Sequence, residues 1–328
     1  MILFRPILLS SLALGCALPA LAEVPRVVTD LPITASLVQQ VMGDLGQPGL
    51  LLTAGADPHH FQLRPQQAQD LEKADLLIWV GPEMTPWLDR ASTSLATDAS
   101  SLALLSLPQT HLREFAAWDE HEDGHDHDNG HDHGHDHGHD HAGHDHAHDD
   151  GHDHSGVDPH AWLDPANAQV WLGAIAQTLS KVDPENAGTY AANATAAQAA
   201  VAALDQELRA ELAPLAEQRF VVFHDAYGYF TAHYGLSPAI PVSLGDASAP
   251  AAARLSAVRD QIIAQHASCA FPEVNHDARL LATAIEGTDT REGAALDPGG
   301  VMLPPGPGLY DATLRGLSRA FADCLGKG

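Results

Sequence analysis

The sequence predicts an α/β protein of two similar lobes, each a mainly parallel sheet flanked by helices, joined by one long rigid helix. Three observations predict it. Short β-like runs alternate with helical stretches before residue 183, the same rhythm returns after residue 213, and a helix with clear signals at both ends lies between them. At 328 residues the chain also exceeds what one core usually serves, so two lobes are expected on size alone.

The chain opens with Arg5 ahead of an apolar stretch from Ile7 to Leu21 that ends in Ala20-Leu21-Ala22. This pattern predicts a secretory signal peptide, residues 1–22, cut after Ala22; the stretch is short of the ~20 apolar residues that span a bilayer. Lipid attachment at Cys16 is the rival reading, although the preceding Ala13-Leu14-Gly15 lacks the leucine usual three residues before such a cysteine.

The first lobe is expected over residues 23–182. Strand candidates Arg26–Thr29, Gly49–Thr53, Leu76–Val80 and Leu102–Leu107 alternate with helical stretches at Ala35–Met42 and Gln66–Lys73, the order of βαβ units. Inside this lobe, residues 119–154 hold fourteen histidines and thirteen carboxylates, and no aliphatic residue larger than alanine. With nothing to bury, loop 119–156 is predicted to be disordered without metal. Neutral imidazoles suit zinc, copper and nickel and titrate near pH ~6.5. The run of His121, His125, His127, His131, His133, His135, His137, His139, His141, His144, His146, His148, His152 and His154 is therefore expected to bind metal weakly, as a secondary site. Selectivity must lie elsewhere, because wrapping a flexible strand round one ion orders many residues for each bond formed. The literal HExxH match at His121-Glu122-Asp123-Gly124-His125 is accidental, since Asp and Gly stand where a helix is required.

Asp183 as N-cap and Pro184 at the first helical position open the linking helix, 183–213, which runs to the residue before Pro214. Ala197, Val201, Leu204, Leu208 and Leu212 fall at steps of four, three, four and four, one apolar stripe along an alanine-rich rod. About 30 helical residues span roughly 45 Å, enough to tie two lobes together and resist large hinge motion. The second lobe, 214–328, repeats the first, with strand candidates Arg219–His224, Ala239–Ser243 and Ser268–Phe271 and helices Ala251–His266 and Leu309–Cys324.

Removing the signal leaves Cys269 and Cys324, which in an oxidising compartment are expected to form one disulfide. The net charge of −27 argues against nucleic-acid and anionic-membrane partners and fits a binder of cations.

Outside the run the histidines are His59, His60, His111, His160, His224, His233, His266 and His276. His59 follows the Gly49–Thr53 strand and His224 ends the Arg219–His224 strand, and open α/β sheets bind ligands at the carboxyl ends of their strands. His160 directly follows the histidine-rich run and precedes a helix, while Asp297 lies in a loop of the second lobe. Two candidates per lobe would surround one interlobe cleft. Taken singly, each also reads as a structural residue: a turn residue at His59, a helix-cap neighbour at His160, a core histidine at His224, an N-cap at Asp297. His111, His233, His266 and His276 read as surface or structural, with a second low-affinity site around His276 left open.

Five segments bear on the choice: Val28-Thr29-Asp30-Leu31-Pro32, Asp57-Pro58-His59-His60-Phe61, Ala74-Asp75-Leu76-Leu77-Ile78-Trp79-Val80-Gly81, Asp158-Pro159-His160-Ala161-Trp162-Leu163-Asp164-Pro165 and Phe220-Val221-Val222-Phe223-His224-Asp225-Ala226-Tyr227. Over nearly the whole mature chain the sequence resembles the periplasmic metal-binding proteins of ABC transporters for zinc and manganese, in particular the ZnuA-type zinc branch. The resemblance implies a metal ion held between two α/β lobes and delivered to a membrane permease with its own separate ATPase; no Walker A motif occurs here. A monomer is expected, and a separate metallochaperone that loads the site is left open. The first ligand implied is His59, two positions before Phe61, with His60 only its neighbour; the others are His160, His224 and Asp297.

Histidine at the third position, where manganese binders usually carry a carboxylate, favours Zn2+ as the transported substrate. The fourth position varies in the zinc branch between carboxylate and water. Three imidazoles and one carboxylate fill a tetrahedral shell, whereas catalytic zinc keeps a place for water, so no catalytic residue is expected. A site lacking the carboxylate would instead suit a zinc-dependent enzyme. Zinc storage or buffering would rely on the run and need no permease, and a surface interaction role would set the same fold beside an anchor.

Overall fold

The computed structural model describes residues 24–52, 55–59, 61–115, 156–244 and 250–327. The expected signal peptide, His60 and the histidine-rich run lie outside the described residues.

The first sheet comprises β1 (Val27–Thr29), β2 (Gly49–Leu50), β3 (Leu76–Trp79) and β4 (Ser100–Ala103), all parallel, in the order β2-β1-β3-β4. Helices α1 (Pro32–Met42), α2 (Pro65–Glu72) and α3 (Pro86–Leu95) make the crossovers. Each opens on a proline, tolerated in a first turn because the N–H it lacks has no partner within the helix. Strand β3, Leu-Leu-Ile-Trp, is buried on both faces, as a central parallel strand should be. Expectation and structure part at the edge. The apolar run Leu102–Leu107 suggested a strand, but β4 starts two residues earlier at the exposed Ser100 and Ser101. An edge strand shows polar side chains to water, so hydrophobicity misplaces it. Leu104 and Leu105 continue the ladder by donating to the carbonyls of Trp79 and Val80.

Between the sheets run α4 (Pro165–Val182) and α5 (Ala187–Leu212). Asp183 caps the junction, although its carboxylate closes a 3-10 turn at Pro184–Asn186 before the α-helix begins. It accepts from the Asn186 amide at 2.7 Å and from the Tyr190 hydroxyl at 2.8 Å. A second 3-10 turn, Ala213–Leu215, ends the rod at Pro214, and 26 α-helical residues give it a length of about 40 Å. The stripe Ala197, Val201, Leu204, Leu208 and Leu212 is buried throughout, facing α1, α4 and the last helix.

The second sheet, β5 (Phe220–His224), β6 (Ile240–Ser243), β7 (Cys269–Phe271) and β8 (Arg291–Glu292), is parallel in the order β6-β5-β7-β8. It repeats the winding of the first strand for strand. Its helices are α6 (Gly228–Tyr234), α7 (Ala252–Gln265), α8 (Ala278–Ile285) and α9 (Leu309–Leu325). The exposed pair Arg291–Glu292 carries no apolar signal, so β8 is visible only in the structure.

One buried cluster runs without interruption from Val27 and Ile33 through Trp171 and Leu204 to Phe220 and Phe321, so both lobes and α5 share a core. Polar contacts reinforce it. The Tyr310 backbone N–H donates to Ser36 Oγ at 3.1 Å, the Tyr310 hydroxyl donates to the Trp162 carbonyl at 3.0 Å, and the Trp162 indole donates to the Pro298 carbonyl at 2.8 Å. A disulfide joins Cys269 in β7 to Cys324 in α9, with Cα atoms 6.2 Å apart.

Next to His160 the chain forms a narrow neck. Glu114 and Val157 make an antiparallel bridge, Phe115 donates to the Gly156 carbonyl at 3.1 Å, and Asp158 donates to the Arg113 carbonyl at 2.9 Å. The Tyr229 hydroxyl locks this neck to the second lobe, accepting from the Arg113 N–H at 2.8 Å and donating to the Asp158 carbonyl at 3.0 Å.

Candidate metal centre

A cavity of ≈ 270 Å³ opens between the lobes at the carboxyl ends of both sheets, lined by Leu31, Pro32 and Gly55–His59 on one side and His224, Glu273–His276 and Asp297 on the other. The strand ends create it. At β1, the buried Asp30 carboxylate accepts from the N–H groups of Leu31 and Val80 at 2.7 and 2.8 Å, stitching β1 to β3, and burial pushes its pKa up to about 6.

His59 reaches the cavity from the loop after β2. Asp57 closes an Asx turn by accepting from the His59 N–H at 2.9 Å. The Trp87 indole donates to the Pro58 carbonyl at 2.8 Å, and Phe61 packs on the Trp87 ring at 5.2 Å, which fastens the loop to α3.

His160 and His224 are both buried, and each is held from behind by a carboxylate. Asp158 Oδ1 accepts from the His160 N–H at 2.9 Å and pairs with its Nδ1 at 2.7 Å. Glu273 Oε2 pairs with His224 Nδ1 at 2.7 Å and accepts from the Tyr227 hydroxyl at 3.0 Å. A ring that donates Nδ1–H to a carboxylate keeps its Nε2 lone pair for a ligand. The two Nε2 atoms then face each other at 3.4 Å, where lone pair meets lone pair. A proton or a metal ion between the two nitrogens relieves that encounter. Two nitrogens bound at ~2.05 Å to a tetrahedral ion lie ~3.3 Å apart, so the observed spacing already fits zinc.

Ligand atoms of His59, His160 and His224 all lie within 4.8 Å of one another. Burial, aided by the charge of His224, holds the His160 pKa well below the usual histidine range, which keeps its ring a neutral donor. Burial also opposes charge on His224, but the carboxylates of Glu273, Asp225 and Asp158 outweigh it and raise that pKa. The pair thus accommodates positive charge between its rings, whether a proton or a metal ion in its place.

Asp297 lines the same cavity but stands outside the three-histidine group. Its two oxygens accept from the N–H groups of Val301 and Met302, both at 2.9 Å, and burial raises its pKa. The structure also brings in residues to which the sequence assigned no place in the site. Glu273 follows β7, and the pairing of β7 with β5 sets it behind His224. His276, read as surface or structural with a second low-affinity site left open, stacks on Phe223 at 4.5 Å and joins His224 and Glu273 in a second potential ligand group. His111 and His233 bind the Asp164 carboxylate away from the cavity, at 3.0 and 2.8 Å, and His266 caps α7 in the left-handed region.

A family model described as zinc-uptake complex component A, periplasmic, matches residues 27–324. The chain is 66% identical over 315 residues to the high-affinity zinc uptake system protein ZnuA of Paracoccus denitrificans (strain Pd 1222), covering 96% of each chain. Against the protein of the same name from Brucella suis biovar 1 (strain 1330), identity is 39% over 318 residues, with 95% of each chain covered. A crystal structure of a ZnuA shares the fold at a TM-score of 0.70 and 21% identity, over 92% of this chain and 99% of that one.

Proposed function

The chain belongs to the ZnuA family, the periplasmic zinc-binding components of ABC transport systems, and we propose that it holds one Zn2+ between His59, His160, His224 and Asp297 for delivery to the permease. The opposed Nε2 atoms of His160 and His224, each backed by a buried carboxylate, are the observation that carries this reading. His59 supplies the third nitrogen from the first lobe. Asp297 is a second-lobe carboxylate on the same cavity that holds no histidine ring, and its charge balances an ion held by neutral imidazoles.

With four positions filled, no water is activated, and the protein acts by binding rather than catalysis. Residues 1–22 direct export and are removed, after which the chain works as a monomer beside a permease and a separate ATPase. The histidine-rich run collects zinc weakly, and the ion then passes to the cleft by way of His160. A metallochaperone is a further route of loading.

Competition of the full-length protein against a zinc chelator, with manganese as the rival ion, tests the assignment. One tightly held zinc, preferred over manganese and lost in a His59→Ala/His224→Ala variant, is expected. The same tight zinc in the variant would place the metal elsewhere.

A further inference from the structure

Two groups of the cavity wall, Glu273 Oε1 and His276, are left over once His59, His160 and His224 are assigned. Glu273 uses Oε2 for both His224 and Tyr227, while Oε1 lies 3.5 Å from His276 Nε2. That separation is longer than a good hydrogen bond and close to the ~3.3 Å between two ligands of a tetrahedral ion. Ligand atoms of His224, Glu273 and His276 lie within 4.8 Å of one another, as do those of the first group.

The second group is also built rigidly. His276 stacks on the buried Phe223 ring at an interplanar angle of 22°. Its turn is fixed by Asn275 in the left-handed region at φ 67°, by the Val274 N–H donating to the Leu296 carbonyl at 3.0 Å, and by a parallel bridge between Glu273 and Leu296. Exposure falls inward along the cavity: the His276 side chain is 23% accessible, His224 5% and His160 2%.

We propose that His276, Glu273 Oε1 and His224 form an outer zinc site that shares His224 with the inner one, so that the two are filled alternately and the ion steps from one to the other. The proposal rests on the inner site being the one formed by His59, His160, His224 and Asp297. Its advantage is kinetic. An ion that must drop all its ligands together faces a high barrier, whereas one that gains His276 and the carboxylate as it loses His160, His59 and Asp297 exchanges ligands singly and is never bare. His224 stays attached through the step, and no covalent bond or electron is transferred.

The test compares full-length wild type with His276→Phe, which keeps an aromatic ring on Phe223, and with His276→Gln as a second variant. Zinc is the probe, and three quantities are read: equilibrium affinity of the tight ion, its loading rate, and its release to excess chelator. Both variants should load and release about tenfold more slowly with equilibrium affinity unchanged, as expected when one pathway over a barrier is lost. Unchanged rates would overturn the outer site, and so would weakened equilibrium affinity, which would make His276 part of the tight site. Zinc anomalous scattering from His160→Ala crystals gives a second reading: density among His276, Glu273 and His224 is expected, and its absence counts against the proposal. Failure of the inner assignment shows separately, as tight zinc surviving in His59→Ala.

Discussion

At the scale of single residues, the centre depends as much on the carboxylates behind the rings as on the rings themselves. Glu273 fixes the tautomer of His224 through a 2.7 Å contact and shares the same oxygen with Tyr227. Replacing it by glutamine removes a buried negative charge and weakens the hold on Nδ1–H. Glu273→Gln should therefore weaken the tight zinc by about 10- to 100-fold, the range common for such supporting partners, as read by chelator competition. An affinity equal to wild type would show that His224 needs no orienting carboxylate. His59, His160 and His224 were legible because position along the chain is enough to place a histidine at a strand end or beside a distinctive motif. Glu273 was not, and His276 only as an open second site, because their value lies in what β5 and β7 bring side by side, and a parallel register between strands 49 residues apart leaves no local trace.

Among the elements, the joint between α4, α5 and α6 carries a titratable contact far from the cavity. His233 on α6 bonds Asp164 at the head of α4 through Nδ1 at 2.8 Å and Asp205 on α5 through Nε2 at 2.7 Å. Arg209 reaches over the same corner to the His233 carbonyl at 3.0 Å, and His111 takes the other oxygen of Asp164. Burial alone would lower the His233 pKa, but the two carboxylates outweigh it and raise it. A raised folded value means that the contribution to stability is complete below the unfolded pKa of ~6.5 and disappears as pH climbs through the folded one. The drop in Tm caused by His233→Gln should accordingly be larger near pH ~6 than near pH ~9; a drop independent of pH would show that the ring acts by packing alone. Elements with an apolar face, such as α5 and β5, were readable from periodicity and composition. The edge strands β4 and β8 were not, since their pairing is a backbone matter and their side chains are polar or exposed.

For the molecule as a whole, the shared core between the lobes and the crossing of α9 back to α1 leave little freedom for the lobes to swing apart. Zinc held as proposed would then enter and leave by ligand exchange at the cavity wall more than by wide opening. Under the proposed role of the histidine-rich run, supply is a matter of local concentration. Mature protein lacking residues 121–154 should keep its tight-site affinity but fill more slowly at low zinc; stopped-flow loading under chelator competition measures this, and equal rates with and without the run would remove it from the pathway. The neck that carries the run has a use in protein engineering too. Its two stems, Phe115 and Gly156, leave and rejoin the fold at one hydrogen-bonded point, so whatever lies between them burdens the rest only with its own closure. A fluorescent domain spliced there would sit on a stem pinned by Tyr229 to the opposite lobe, two residues from the carboxylate that steers His160. In that position the transporter component becomes a scaffold for an optical zinc reporter.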